Sequence, residues 1–380
     1  MSIMTVVNAR PGGADDVDRA VLRALAHDGR ASWARIGELA GCSTSTAQRR
    51  VTRLLEDGTV RIIAASDVLA AGFGVSTKVR IRSGAARADA LADALARRPE
   101  VRFAATLTGS ADCTAEVVLP RVGDLTSFLS TIEVDGRPVE TEALPIVRTF
   151  TAPFTVFPGD ALAPTGRAAD ADAPRSATAN APAPDPSTRQ GVSPLHADAI
   201  PEERAVFAAL VRDGRKPLTD LAREVGRTEA ATRRTLEDLV QSGRLRIGPL
   251  VAPALLGRAT ELEVWISVAP DRLSDAAAQL AGHPSVHYAA ASLGRFNLIG
   301  QAFLPDFASV YTFTTDVLGA LPGVREVDVT VQLRTVKRMW SRIEDGRFVP
   351  ASEASAPAIT SPADQAAATP SPAVRVPDTA

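Results

Sequence analysis

One offset constrains this chain more than any single motif. The triplet "DGR" at Asp28–Arg30 returns at Asp213–Arg215, 185 residues later. The same offset carries Arg49 onto Arg234, Leu54 onto Leu239, Gly58 onto Gly243, Gly72 onto Gly257, Gly109 onto Gly294 and Pro120 onto Pro305. It slips by one residue near the end of each copy, where Arg148-Thr149 matches Arg334-Thr335. Spacing this constant identifies two copies of one unit, and a fold has to be found for the unit first.

The copies are separated by a change in composition. Residues 158–199, with "APAPDPS" among them, are rich in Ala, Pro, Asp and Ser and have no periodicity. They read as a disordered linker, and residues 352–380 read as a disordered tail. Neither stretch carries enough apolar surface to offset the entropy of ordering it. The 380-residue chain has a formal net charge of −2, so no whole-molecule field draws it to nucleic acid. Any basic footprint must be local. Cys42 and Cys113 are too few for a disulfide framework and fit a reducing compartment. The opening "MSIMTVVNARPGG" lacks the basic-then-apolar pattern of a secretory leader. No run of about 18 apolar residues is present, and a cytoplasmic location is expected.

The first part of each unit is helical. Val17, Val21, Leu22 and Leu25 share one face of a helix over Asp16–His27. Ser32 caps a second short helix carrying Trp33, Ile36 and Leu39. Gly41 supplies the turn, and Ser43 caps a third helix that buries Ala47, Val51 and Leu54. Gly58 then takes the left-handed position that ends it. Three short helices with a tight turn before the third form a helix-turn-helix pattern. In the second copy Pro201 opens the first helix and Thr228 caps the third.

The second part alternates. Thr77, Val79 and Ile81 face one way, and Lys78, Arg80 and Arg82 the other. A helix with Ala88, Leu91 and Leu95 inward follows, then a strand pair around Gly109, a helix carrying Leu125, Phe128, Leu129 and Ile132, and a last strand from Val139 to Phe150. The order βαββαβ is the ferredoxin-like split, and it repeats from Leu262 to Lys337. Both helices cover one sheet face, which leaves the other for a second sheet or a ligand. The expected fold class is α+β: a tandem repeat of a winged-type three-helix domain and a ferredoxin-like domain. The expected bounds are 15–65, 75–155, 200–250 and 260–340.

With Ala47, Val51 and Leu54 inward, the third helix turns Ser45, Arg49, Thr52, Arg53 and Glu56 outward, with Arg50 on its flank. Ser43, Thr44, Ser45 and Thr46 are small hydroxyl residues able to approach phosphates and base edges. Arginine one turn later can bond guanine bidentately, and a helix N-terminus favours phosphate. Ser43, Thr44, Ser45, Thr46, Arg49, Arg50 and Arg53 are therefore candidate DNA contacts, with Thr228, Arg233 and Arg234 in the second copy. The copies differ here: Thr44, Thr52 and Arg53 are replaced by Glu229, Glu237 and Asp238. Carboxylates near phosphate oppose binding, so the second helix is expected to contribute less or to read a different half-site. A solvated helix face in a protein-binding module is the bland alternative.

The segments "DRAVLRALAHDGR", "IGELAGCSTSTAQRRVTRLLEDGTV", "GSAD" at Gly109–Asp112 and "LPGVREVDVTVQLRTVKR" together resemble the Lrp/AsnC (leucine-responsive regulator) family of transcription factors. The resemblance implies an N-terminal DNA-binding domain and a βαββαβ domain that dimerises through its sheets and binds a small effector, often an amino acid, near a Gly-x-x-Asp turn. It thereby marks Gly109 and Asp112, and Gly294 and Asn297 in the second copy, as candidate effector residues. Asn297 departs from the pattern, which puts a charged contact there in doubt. The expected partners are double-stranded DNA, a small effector and a second βαββαβ sheet, supplied here within the chain as a pseudo-dimer. A linker of this length spans roughly 35 Å as a coil, comparable to the ~34 Å between half-sites on DNA.

No cofactor and no metal is expected. His283 and His287 have a helical metal spacing, but Pro284 lies between them and the first copy has Arg98 and Arg102 there. Cys113 falls on an apolar strand and reads as core. No Ser/His/Asp, Walker or dinucleotide signature is present. Siroheme decarboxylases resemble the same architecture and form the enzymatic alternative. They call for histidine- and arginine-rich later strands, which "SVHYAAASLGRFNLIGQAF" does not supply. A small-molecule sensor without DNA binding is a further reading.

Overall fold

The computed structural model describes residues 13–134, 136–151 and 200–350. The expected linker and tail lie outside the described residues. In the first copy, helices α1 (Asp16–His27), α2 (Trp33–Ala40) and α3 (Thr44–Glu56) precede strand β1 (Val60–Ala65). The capping residues act as the sequence requires. Ser32 accepts from the Arg35 amide, Ser43 from the Thr46 amide, and Gly41 and Gly58 have φ of 66° and 64°. Val21, Leu25, Ile36, Ala47 and Val51 form the shared core, while Leu39 is exposed.

The first βαββαβ module comprises β2 (Val75–Arg82), α4 (Ala88–Ala96), β3 (Val101–Leu107), β4 (Cys113–Leu119), α5 (Leu125–Leu129) and, after a hairpin of β5 (Glu133–Val134) and β6 (Arg137–Pro138), β7 (Glu140–Thr149). Val79, Ile81, Leu91, Leu95, Cys113, Ala115 and Val117 pack between helices and sheet. Burial pushes the Cys113 thiol up to about 12, as befits a core cysteine.

The second copy repeats this order. Helices α6 (Pro201–Arg212), α7 (Leu218–Glu224) and α8 (Glu229–Gln241) precede β8 (Arg246–Val251). Then come β9 (Thr260–Val268), α9 (Leu273–Ala281), β10 (Val286–Ser292), β11 (Leu298–Leu304), α10 (Ser309–Thr312) and β12 (Val324–Arg338), with a closing hairpin of β13 (Ser341–Glu344) and β14 (Arg347–Phe348). A π-helical turn over Phe313–Leu318 follows α10. It lies inside the segment where the repeat slips by one residue, and an i→i+5 turn holds one residue more than an α-turn.

Each module has strand order 4-1-3-2, namely β7-β2-β4-β3 and β12-β9-β11-β10. The two modules join edge to edge twice. β7 pairs with β10, and β12 pairs with β3, all antiparallel. The eight strands thus close into a ring, which leaves no free edge among them. The helices stay outside, and the opposite sheet faces meet inside.

The three-helix modules are also joined. β1 and β8 pair antiparallel from Val60↔Val251 to Ala65↔Arg246. Arg30 donates to the carbonyls of Gly214 and Lys216, and Arg215 donates to those of Gly29 and Ala31. These two arginines occupy one repeat position, so the clasp is reciprocal. Gly29 and Gly214 permit it: a Cβ at Gly29 would stand 2.7 Å from the Ile247 backbone, and one at Gly214 would stand 3.0 Å from that of Ile63. The relation between the copies is therefore set by direct pairing and does not depend on linker length.

Candidate nucleic-acid interface and ligand corner

Helix α3 exposes Ser43, Thr44, Ser45, Gln48, Arg49, Thr52 and Arg53 on one side. The Ser43 hydroxyl lies 3.0 Å from that of Ser45 and 2.9 Å from that of Thr46, which gathers three hydroxyls over the helix N-terminus. The three arginines are not equivalent. Arg50 reaches Asp15 at 2.5 Å and Asp18 at 3.3 Å, and Arg53 reaches Asp18 at 2.7 Å. Asp18 is only 2% exposed, so these bonds staple α3 to α1. The Asp15 carboxyl is held below its usual range, first by the Asp18 amide and then by Arg50. Arg49 is exposed and makes no ion pair among the described residues. It is the arginine whose charge stays uncommitted. Sequence reasoning missed the staple, because the partner acids sit one helix away.

Helix α8 differs in the way the sequence implies. Thr228 caps it by accepting from the Ala231 amide at 3.3 Å. Arg233, Arg234, Glu229, Glu237 and Asp238 are exposed. α8 thus carries two arginines against three carboxylates, whereas α3 carries three arginines against one, Glu56. The staple has no counterpart, since Thr235 and Asp238 replace Arg50 and Arg53. Glu203, at the Asp18 position, pairs with Arg244 at 2.7 Å.

The Gly109–Asp112 turn links β3 to β4 and rests on the other copy. Gly109 has φ 90°, and a Cβ there would meet the Thr330 methyl at 3.5 Å. Ser110 and Arg80 both bond the Asp328 carboxylate. The Asp112 carboxylate accepts from the Ser83 and Gly84 amides, each at 2.9 Å. Both bonds use Oδ2, so this oxygen ties the Ser83–Gly84 backbone to the turn. Gly294 has φ 120° and approaches Leu144 of the first copy. Asn297 accepts from the Val268 amide at 2.8 Å and donates to its carbonyl at 2.9 Å. Beside the first turn lies a cavity of about 500 Å³ lined by Arg82, Ser83, Arg87, Val134, Arg137 and Glu140, within the size range of small-molecule sites.

Between the sheets lies a charged interior that the alternation of β2 foreshadowed only as an outward face. Lys78 reaches Glu263 at 2.6 Å and Glu116 at 3.8 Å, with both Lys78 and Glu263 wholly buried. Arg102 and Ser76 also bond Glu116. Burial alone would raise the Glu116 carboxyl, but Arg102 and Lys78 outweigh it and hold it low. His287 stacks on Phe303 at 3.7 Å, and burial together with Arg338 keeps its imidazole well below the usual range. Burial also drives the Tyr288 phenol well up. Among the described residues no cluster of metal-ligating side chains forms, and no helix is long and apolar enough to cross a membrane.

The family model for an AsnC-type helix-turn-helix domain matches residues 15–55, and that for an Lrp/AsnC ligand binding domain matches 75–141 and 262–340. An uncharacterized HTH-type transcriptional regulator of Pyrococcus horikoshii is 30% identical over 150 residues, covering 38% of this chain and 95% of that protein. The Bkd operon transcriptional regulator of Pseudomonas aeruginosa is 31% identical over 120 residues, 30% of this chain and 78% of that protein. Over the whole tandem, the crystal structure of the siroheme decarboxylase NirDL is similar in fold, with a TM-score of 0.54 at 14% identity, covering 89% of this chain and 96% of that one.

Proposed function

Because this chain belongs to the Lrp/AsnC family of transcriptional regulators, we propose that it binds double-stranded DNA sequence-specifically, reading chiefly through α3, and that a small effector at the ligand-binding modules modulates that binding. The carrying observation is the exposed α3 face, where the Ser43–Thr46 hydroxyls stand one turn ahead of Arg49, which makes no ion pair among the described residues. Hydroxyls approach phosphate and base edges, and a free guanidinium can bond guanine. Thr44, Arg50 and Arg53 contribute to the same surface, with Arg50 and Arg53 held in place by Asp18. Thr228, Arg233 and Arg234 form a weaker second reading head. The β1–β8 ladder and the Arg30–Arg215 clasp hold the two heads at one separation. One chain then supplies what two chains of a single-unit regulator would supply. A regulator of chromosomal DNA would act in the cytoplasm.

The effector reading attaches to Gly109 and Asp112, in the turn that bonds Arg82 and Ser83 of the cavity lining, with Gly294 and Asn297 as the second-copy equivalents. The test is fluorescence anisotropy with an operator selected from random duplexes. Affinity for the selected duplex at least a thousandfold above that for scrambled duplex supports sequence-specific reading, and equal affinity for both rejects it. The chain is proposed to catalyse no reaction: His287 is enclosed by Phe303 and Arg338 rather than open to a substrate. A Soret-region absorbance change on adding a tetrapyrrole would revive the enzymatic alternative.

A further inference from the structure

We infer that the closing hairpin β13–β14 is a strap that positions α3 from the ring, with Trp340 and Arg347 as positioning residues for DNA reading by the first head. The inference rests on the DNA-reading role proposed for α3 and adds what sets that helix.

The strap grows out of the ring. β12 pairs with β9 of its own module from Val324 to Val331 and with β3 of the first module from Gln332 to Lys337. Met339 and Trp340 then reverse it into β13, and Asp345 and Gly346 reverse β13 into β14. The two turns match in conformation and differ in sequence. All four central residues are left-handed, with φ of 48° and 61° in the first turn and 49° and 73° in the second. Two-residue hairpin turns of this kind need positive φ at both positions and favour Asn-Gly or Asp-Gly. Asp345-Gly346 complies, whereas Met339-Trp340 adopts it against the preference of two bulky side chains. Packing holds the strained turn. Trp340 is 1% exposed. Its amide donates to the Arg102 carbonyl at 3.0 Å and its indole Nε1 to the Pro99 carbonyl at 3.1 Å. Its ring meets that of Phe207 edge-on at 6.1 Å. Strain over-determined by its neighbours in this way points to a task for the turn.

The far end of the strap lands on the first head. The Arg347 guanidinium donates at 2.6 Å to the carbonyl of Asp57, the C-cap of α3. A cation suits that end of a helix. The Phe348 amide donates to the Gly58 carbonyl at 2.7 Å, and Arg61 of β1 donates to the Val349 carbonyl at 3.1 Å. Phe348 packs with Ile63 and Leu250 of the β1–β8 ladder. The second head is held differently. Gly58 and Gly243 share one repeat position, with φ of 64° and 69°. A Cβ on Gly58 would stand 2.8 Å from the Phe348 carbonyl oxygen, while one on Gly243 would meet nothing within 4 Å among the described residues. The end of α3 is thus clamped where the end of α8 is open. α3 receives two ties from the ring: one along its own chain through β1, the other from β12 of the second copy.

The test compares Arg347→Ala and Trp340→Phe with wild type, all as full chains, by operator anisotropy, footprinting and hydrogen exchange. Arg347 is exposed, so its loss should leave the thermal midpoint near that of wild type. Exchange in the last turn of α3 should quicken, and operator affinity should fall about tenfold. The salt dependence of binding should not change; a slope lower by about one would make Arg347 a phosphate contact and overturn the inference. Trp340→Phe removes the Pro99 bond and keeps a ring against Phe207, which belongs to the second head. Transmission through the strap predicts lost protection in the α3 half of the footprint. A loss confined to the α8 half would be local packing and would overturn the inference, as would wild-type affinity in either variant. Failure of the DNA-reading role would show separately, as equal wild-type affinity for selected and scrambled duplex. The exchange measurement needs no DNA, and unchanged exchange at the end of α3 in Arg347→Ala overturns the strap by itself.

Discussion

Lys78 and Glu263 touch at 2.6 Å, both wholly buried, and they occupy the same position in the two copies of the repeat. Equivalent residues in contact must straddle the pseudo-twofold axis of the ring. Two separate copies of the second unit would set Glu263 against Glu263 there, with Gln301 beside it. Two copies of the first would set Lys78 against Lys78. Only the mixed pairing found within one chain gives opposite charges at the axis.

Lys78→Glu should therefore destabilise the protein by about 3–5 kcal/mol, because it removes the buried cation of Glu263 and sets a second carboxylate against it. Glu263→Lys should do comparable damage. The exchange double variant Lys78→Glu/Glu263→Lys should recover more than half of either loss in chemical denaturation. Strictly additive losses would show that the pair has no coupling across the axis.

Asp18 separates the structural arginines from the reading one. Asp18→Ala leaves Arg50 and Arg53 without their shared buried acceptor and should lower stability by about 1–3 kcal/mol. Arg49→Ala touches no partner among the described residues and should leave the thermal midpoint unchanged. Thermal melts of both variants check this, and a midpoint loss with Arg49→Ala would place that side chain in the fold instead of at the interface.

The sequence carried the outline of both modules because each has a clean period. Val79 and Ile81 alternate with Lys78 and Arg80, and Ala47, Val51 and Leu54 recur at helical spacing. The caps Ser43 and Thr228 were legible because their hydroxyls bond within three residues. Long-range partners were not. The Arg50 and Arg53 staple needs Asp18, 32 and 35 residues away, and the Lys78 pair needs a residue 185 away. Charged side chains on a strand read as solvent-facing until a second sheet closes over them. The cavity was invisible for the same reason, since Arg82, Arg87 and Arg137 meet only through the fold.

Lys337 gives a pH signature. It is wholly buried, donates to the Arg98 carbonyl at 2.7 Å, and burial brings its ammonium down to about 7 from 10.5. Between pH 7 and 9 the unfolded chain keeps a proton that the native site has released. The unfolded state then binds more protons, so stability should rise with pH by about 1.4 kcal/mol per unit. The Cys113 thiol, raised from 9.0 to about 12, acts oppositely only above pH 9. His287, lowered from 6.5, acts only below that pH. Denaturation of wild type and Lys337→Met at pH 7 and 9 isolates the lysine: the wild-type gain should exceed that of the variant, and equal gains would contradict the assignment.

The unequal reading heads are tested most directly by comparing Arg49→Ala with Arg234→Ala on the selected operator at one salt concentration. The first removes the uncommitted arginine of α3, and the second removes its repeat equivalent on α8, a helix that also carries three carboxylates. Arg49→Ala should lose about 1–3 kcal/mol of binding free energy and relax specificity at one base pair. Arg234→Ala should lose less, and the wild-type footprint should show two unlike halves. Equal losses with a symmetric footprint, or wild-type affinity in the Arg49→Ala protein, would contradict α3 as the principal reader.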